Sequence, residues 1–135
     1  MNLLRRWFGT RRAASFPATL PALADMRAAV RGFAAKDGVP TDTADELVLA
    51  ASEACSNAVL HSGTDAVRIT WTLRRDCARV RVDDDGHFRR VVVAPGETGG
   101  RGILIMMAVM DEVSITEGTE RHPGTTVRLV RCQGR

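Results

Sequence analysis

The chain has 135 residues, 44% of them hydrophobic, and a formal net charge of +3, which fits one globular domain with its own core. The first twelve residues hold four arginines (Arg5, Arg6, Arg11 and Arg12), and without these four charges the remaining chain sums to −1. Aromatic residues make up 4%, with no Tyr. This composition argues against nucleic-acid binding, which needs a broad basic surface or stacking platforms, and no apolar run approaches the roughly 20 residues of a membrane helix.

The cysteines and the N-terminus indicate the compartment and the domain boundary. Cys55, Cys77 and Cys132 form no CxxC pair, and an odd count without metal-ligand spacing predicts free thiols in a reducing compartment. We therefore expect a cytoplasmic protein, with Cys55 buried on an apolar helix face. Residues 1–15 are basic and predict a poorly ordered lead, followed by a single domain over residues 16–135.

Helical spacing of apolar residues comes first in the chain. It runs from about residue 20 to Lys36, where Gly38 and Pro40 end the helix. A capping-box pattern over residues 43–46 opens a second helix, which extends to Ser62.

Strand-like alternation follows the second helix. Residues 67–73 and 78–82 alternate apolar and polar side chains around a turn at Arg75 and Asp76, which predicts a hairpin with one solvent-facing side. Residues 86–100 lack a regular pattern and suit a mobile lid.

The remaining elements complete the predicted fold. Residues 102–110 predict a short apolar helix, and alternation near residues 113–115 and 127–129 predicts two more strands. A further short strand near Phe16 is an option that the sequence leaves open. The order predicts an α+β fold, a two-layer sandwich with helices packed on one face of a mostly antiparallel sheet.

The second predicted helix carries the most informative pair of residues. Glu53 and Asn57 are four residues apart, so their side chains share one helix face. A carboxylate and a neutral oxygen ligand aimed at one point suit an Mg-nucleotide site with a nearby general base. Taken by itself, the pair also fits a polar helix face in solvent.

Strand parity singles out two further polar residues. Asp84 continues the apolar face of residues 78–82, and Thr125 shares the face of Val127 and Leu129. A carboxylate on the buried side of a strand needs a partner, and the exocyclic amine of adenine is one. The alternative is that the strand ends before Asp84 and that its acidic neighbours form a turn.

A glycine-rich stretch, residues 99–102, precedes the third predicted helix. Successive glycines let backbone N–H groups approach a phosphate at a helix N-terminus, although a flexible glycine-capped loop explains them equally well. The chain has one lysine, Lys36, which argues against P-loop enzymes and protein kinases of the usual fold.

In this order the motifs resemble those of the GHKL ATPase superfamily, which has the Bergerat ATP-binding fold, and within it the anti-sigma-factor serine kinases. Residues 53–58 are similar to the N box, residues 82–86 to the Asp-x-Gly of the G1 box, residues 99–103 to the G2 box and residues 124–127 to the closing strand. The resemblance extends from about residue 16 to residue 131.

The resemblance implies ATP and Mg²⁺ as cofactors and a role for each matched residue. Asn57 would hold Mg²⁺, Glu53 would act as general base on a serine hydroxyl, and Asp84 would accept a hydrogen bond from the adenine amine. The implied contacts to adenine and the phosphates are Gly86, Gly100, Arg101, Gly102 and Thr125.

The same resemblance implies an ATP-dependent serine/threonine kinase that phosphorylates a STAS-domain antagonist and also sequesters a sigma factor, so that the two partners are switched. No nucleic acid or membrane partner is expected, and a homodimer is left open. The G1 box departs from the family pattern because Gly86-His87-Phe88 lacks a second glycine. The alternative function is therefore a non-catalytic ATP-binding or partner-sequestering module of the same fold. Histidine kinases share the fold, but this chain has no room for their dimerising helical hairpin.

Overall fold

A computed structural model of the chain describes residues 9–61, 63–86, 101–121 and 123–133. Five strands and three helices lie in these ranges: β1 (Thr10–Pro17), α1 (Ala22–Lys36), α2 (Thr41–His61), β2 (Ala66–Arg74), β3 (Cys77–Asp84), α3 (Gly102–Val109), β4 (Glu112–Glu117) and β5 (Thr125–Cys132). The strands form one antiparallel sheet in the order β1-β2-β3-β5-β4. The predicted α+β sandwich is confirmed.

One face of the sheet is covered by the helices. Helix α1 contacts β1 and β2, α2 contacts β2, β3 and β5, and α3 packs on α2 and touches β4. The core lies between these two layers and is built from apolar side chains on the covered face, the largest of them Trp71, Met26, Leu47, Ile69, Met106 and Leu129. Burial of this apolar surface is the main favourable term for the fold.

The first strand overlaps the expected poorly ordered lead and corrects it for residues 10–15, whereas residues 1–8 lie outside the described residues. Residues 10–17 pair along their full length with β2, from Thr10 opposite Leu73 to Pro17 opposite Ala66. Their exposure alternates from residue to residue, but the inward positions at Thr10 and Arg12 are polar. The buried carboxylate of Asp37 accepts hydrogen bonds from both side chains. The strand therefore forms without an apolar alternation in the sequence.

The expectation of three free thiols is wrong for two cysteines. Cys77 and Cys132 are direct partners in the β3–β5 register and form a disulfide with an S–S distance of 2.04 Å. The register brings them together across 55 residues of sequence. Cys55 is free and buried, as expected for a core residue, and burial raises the pKa of its thiol to about 12.

Two further observations bear on the sequence predictions. Residues 87–100, most of the predicted lid, lie outside the described residues. None of the described helices combines the length and the apolar character needed to cross a bilayer.

Candidate functional site

Helix α2 presents Glu53 and Asn57 to the beginning of helix α3. A Cβ atom placed on Gly102 would lie 3.0 Å from Glu53 Oε2 and 3.7 Å from Asn57 Nδ2. Gly102 is buried, and Glu53 and Asn57 are partly buried. The absence of a side chain at residue 102 therefore lets the first turn of α3 approach both polar groups, and the structure brings these three predicted site residues together.

Asp84 lies at the end of β3, opposite Val67 on one side and Thr125 on the other. Its Oδ1 accepts a hydrogen bond from the backbone N–H of Gly86, at 2.9 Å. Burial raises the pKa of this carboxyl, and the nearby charges of Asp83 and Asp85 act in the same direction. The backbone N–H groups of Gly86 and Thr125 offset only part of that effect.

Asp84 has no cationic partner within the part of the chain that the structure describes. A partly buried carboxylate held by backbone donors and left without a counter-charge is poised to accept a further hydrogen bond. This is the chemistry that an adenine amino group would satisfy.

Thr125 adds an unused hydroxyl next to Asp84. The residue is 4% exposed, and its Oγ1 has no hydrogen-bond partner among the described residues. Unpaired buried hydroxyls are uncommon because each carries a desolvation cost. The pair of Asp84 and Thr125 thus offers an acceptor and a hydroxyl at one place on the covered face of the sheet.

Gly124 is a site residue that the sequence predictions did not include among the contacts. Its φ is +143°, and a Cβ there would lie 2.8 Å from the backbone oxygen of Asp84. Only glycine allows this close approach. The glycine directly before the predicted strand of Thr125 was the available signal in the sequence.

The elements that carry the two halves of the site pack against each other. Helix α2, which carries Glu53 and Asn57, packs on β3 and β5, the strands that carry Asp84 and Thr125. Gly86 follows β3 and is buried, whereas Arg101 is exposed directly before α3. Gly100 lies outside the described residues, so its phosphate contact stays a prediction.

The donor set fits a magnesium–nucleotide complex. Asp84 provides a carboxylate that can accept a further hydrogen bond, and Thr125 provides a hydroxyl without a partner among the described residues. The first turn of α3 provides backbone N–H groups that have no intrahelical partner and suit an anion. Mg²⁺ commonly uses one or two protein ligands together with substrate phosphates and water, which suits the single carboxamide of Asn57.

Comparison with known proteins identifies the family of this chain. Residues 16–131 match the model of the histidine kinase-like ATPase domain. The serine-protein kinase RsbW of Bacillus subtilis is 28% identical over 124 residues, which cover 78% of this chain and 75% of the relative. RsbW of Bacillus licheniformis is 28% identical over 128 residues, or 82% of this chain and 78% of the relative.

A solved structure shows the same fold. The crystal structure of the RsbU and RsbW domains of a Mycobacterium tuberculosis protein superposes with a TM-score of 0.72 at 24% identity and covers 91% of this chain. The chain spans only 32% of that longer structure. The family match extends over most of the chain, from β1 to β5, so the chain belongs to the histidine kinase-like ATPase domain family.

Proposed function

We propose that this member of the histidine kinase-like ATPase domain family is an ATP-dependent serine/threonine protein kinase of the anti-sigma-factor type. The observation that supports the proposal most is the placement of Glu53 beside Asn57 at the beginning of α3. A protein that only binds nucleotide has no need of a carboxylate at this position. The similarity to proteins named serine-protein kinase RsbW points in the same direction.

In the proposed reaction the residues of the chain divide into binding and proton-transfer roles. Asp84 and Thr125 would bind the adenine, and Gly86 would let the base approach. Asn57 would hold Mg²⁺, and Gly102 and Arg101 would surround the phosphates, together with Gly100 as the family resemblance implies. Mg-ATP supplies the phosphoryl group and the charge neutralisation that its transfer requires.

Glu53 is the proposed general base. Its carboxylate would accept the proton of a serine or threonine hydroxyl on the protein substrate as that oxygen attacks the γ-phosphorus of ATP, the bond from that phosphorus to the bridging oxygen breaks, and ADP leaves. The substrate we propose is a STAS-domain antagonist, and a sigma factor is the second partner that the protein would sequester. This substrate assignment rests on the family resemblance.

A transfer assay tests the proposal. The full chain is incubated with Mg-ATP carrying a labelled γ-phosphate and a candidate STAS-domain protein, while ATP affinity is measured separately by calorimetry. Glu53→Ala should abolish transfer and leave ATP binding within about threefold, because the base acts on the reacting hydroxyl and not on the nucleotide. Asp45→Ala, which removes an exposed carboxylate from the same helix, is the matched control.

The outcomes separate the proposed kinase from the non-catalytic module. Nucleotide binding without any phosphate transfer by the wild-type chain, tested with a range of STAS-domain proteins, would favour the module. Absence of heat with any adenine nucleotide would refute the kinase and every ATP-binding role, and would leave a module that only sequesters a partner. Equal loss of phosphate transfer in the Glu53→Ala and Asp45→Ala variants would show that Glu53 is not the general base.

A further inference from the structure

The face of the sheet opposite the helices is uncovered in the described part of the chain. Across it runs a groove of about 520 Å³ that collects residues of all five strands: Arg11, Thr70, Thr72, Arg79, Val80, Arg81, Glu112, Val113, Ser114, Arg128 and Val130. Four arginines and one acid line this groove, so its lining has an excess of positive charge. We call it the arginine groove.

The strand register explains why the guanidinium groups gather there. Arg11 and Arg79 both flank Thr72, from β1 and β3 respectively. Neighbouring strands are about 4.8 Å apart, so these two arginines begin about 10 Å from each other. Arg81 lies two residues along β3 from Arg79, on the same face, and is directly opposite Arg128 of β5.

The direct pairing of Arg81 with Arg128 is unfavourable in the isolated chain. Like charges directly opposite each other on neighbouring strands destabilise a sheet. The structure relieves this in part, because Arg81 forms an ion pair with Asp83 at 2.7 Å. Among the described residues, Arg128 donates to the neutral hydroxyl of Thr116, at 3.3 Å, and forms no ion pair.

The other two arginines carry no compensating charge. Arg11 and Arg79 are exposed, and neither forms an ion pair within residues 9–61, 63–86, 101–121 and 123–133. Glu112 is the acid of the groove and belongs to β4, the edge strand farthest from Arg11. A concave surface with several unneutralised guanidinium groups attracts anions.

We propose that the arginine groove is a docking surface for an acidic segment of a partner protein. Guanidinium groups bind carboxylates through paired hydrogen bonds, and the hydroxyls of Thr72 and Ser114 between them offer further donors and acceptors. This surface is separate from the nucleotide site, because it lies on the opposite face of the sheet. The proposal therefore does not depend on the kinase activity.

The charge and composition of the groove favour this occupant over two others. A second copy that used the same face would bring arginines against arginines, at an energetic cost. Single-stranded nucleic acid would find the charge but no aromatic side chain on which to stack a base. Both occupants remain outcomes of the experiment.

The experiment measures binding of a fluorescein-labelled poly-L-glutamate peptide to the full chain by fluorescence anisotropy. The double variant Arg79→Gln/Arg128→Gln should bind it about tenfold more weakly, because it removes two guanidinium groups from the groove. The control Arg27→Gln/Arg121→Gln removes the same charge from exposed positions outside the groove and should change affinity by less than about twofold. Circular dichroism checks that each variant is folded. If the Arg79→Gln/Arg128→Gln variant is not folded, the single variant Arg11→Gln is tested in its place.

Several results would overturn the proposal. Equal weakening in groove and control variants would show that net charge alone attracts the peptide. Tighter binding of a single-stranded oligonucleotide, with the same dependence on Arg79 and Arg128, would assign the groove to nucleic acid. Self-association in sedimentation that the groove variant abolishes would assign it to a second copy. Selective weakening of the peptide by the groove variant, with none of these, supports an acidic protein segment.

Discussion

Two aspartates on the covered side of the sheet differ in their hydrogen-bond partners. Asp37, at the end of α1, accepts hydrogen bonds from Thr10, from Arg12 Nη2 at 2.8 Å and from Trp71 Nε1 at 2.7 Å. Within the described ranges, Asp84 at the end of β3 accepts hydrogen bonds from backbone N–H groups alone and has acidic neighbours. The Asp37 carboxylate therefore connects α1 with β1 and β2, whereas the Asp84 carboxylate can accept further hydrogen bonds.

The pKa directions express the same difference. Burial by itself would raise the pKa of Asp37, but the hydrogen bonds from Arg12, Thr10 and Trp71 outweigh it and hold the pKa below its usual value. For Asp84 burial prevails and the pKa is raised. Folding thus favours the ionised form of Asp37, which is typical of a structural carboxylate. Folding disfavours the ionised form of Asp84, which is typical of a functional carboxylate.

Removing Asp37 should have the largest effect on stability. Asp37→Ala leaves Arg12 and the indole N–H of the fully buried Trp71 without their partner, and breaking a buried pair on one side costs about 3 kcal/mol. Urea denaturation followed by circular dichroism measures the change. Asp45→Ala, which breaks the exposed pair with Arg31, should cost less than about 1 kcal/mol.

The pH dependence of the Asp37→Ala variant tests the difference between Asp37 and Asp84 a second time. The folded-state pKa of Asp37 lies below the ordinary value of 3.8. Its contribution to stability is therefore complete above about pH 5 and declines as the pH falls through the lowered pKa. The Asp37→Ala variant should lack this acid-dependent part of the stability loss. An unchanged acid limb in the variant would show that Asp37 is not the structural carboxylate we infer.

Neutralising Asp84 should affect ligand binding and not stability. Asp84→Asn removes a partly buried charge whose pKa is raised, so the free energy of unfolding at neutral pH should stay the same or increase, and the gain should vanish in acid. ATP affinity should fall at least about tenfold, because the proposed acceptor for the adenine amine loses its charge. Calorimetric titration with ATP and denaturation at several pH values measure the two effects. A destabilised variant with normal ATP affinity would reverse the assignment.

The difference between the two aspartates also explains what the sequence predicts well. Asp84 and Thr125 follow local rules, because the alternation in β3 and β5 assigns each to the covered face without knowledge of the pairing. Glu53 and Asn57 share a helix face by spacing alone. All four positions can thus be read from their near neighbours in sequence, and the structure brings Glu53 and Asn57 to Gly102 of α3 and Asp84 opposite Thr125 in the sheet.

The remaining features depend on contacts that are distant in sequence. Thr10 and Arg12 are 27 and 25 residues from Asp37, so no local pattern marks residues 10–15 as part of a strand. The disulfide of Cys77 and Cys132 depends on the register of β3 against β5, which the alternation does not fix. The arginine groove likewise arises from the order of the strands, which brings Arg11 of β1 near Arg79 of β3.

The smallest expected effect concerns the hydroxyl beside Asp84. Thr125 Oγ1 is buried without a partner among the described residues, and replacing such a group by an apolar one of the same shape is neutral or stabilising. Thr125→Val keeps the β-branched shape that suits a strand and should raise the free energy of unfolding by up to about 1 kcal/mol. ATP affinity should fall modestly, since the base loses one polar contact. Thr70→Val, at a buried threonine on the other face of the sheet, provides the control and should leave ATP affinity unchanged. A loss of stability in Thr125→Val would mean that the hydroxyl already has a partner in the free protein, and Thr125 would then belong with Asp37 among the groups that hold the fold.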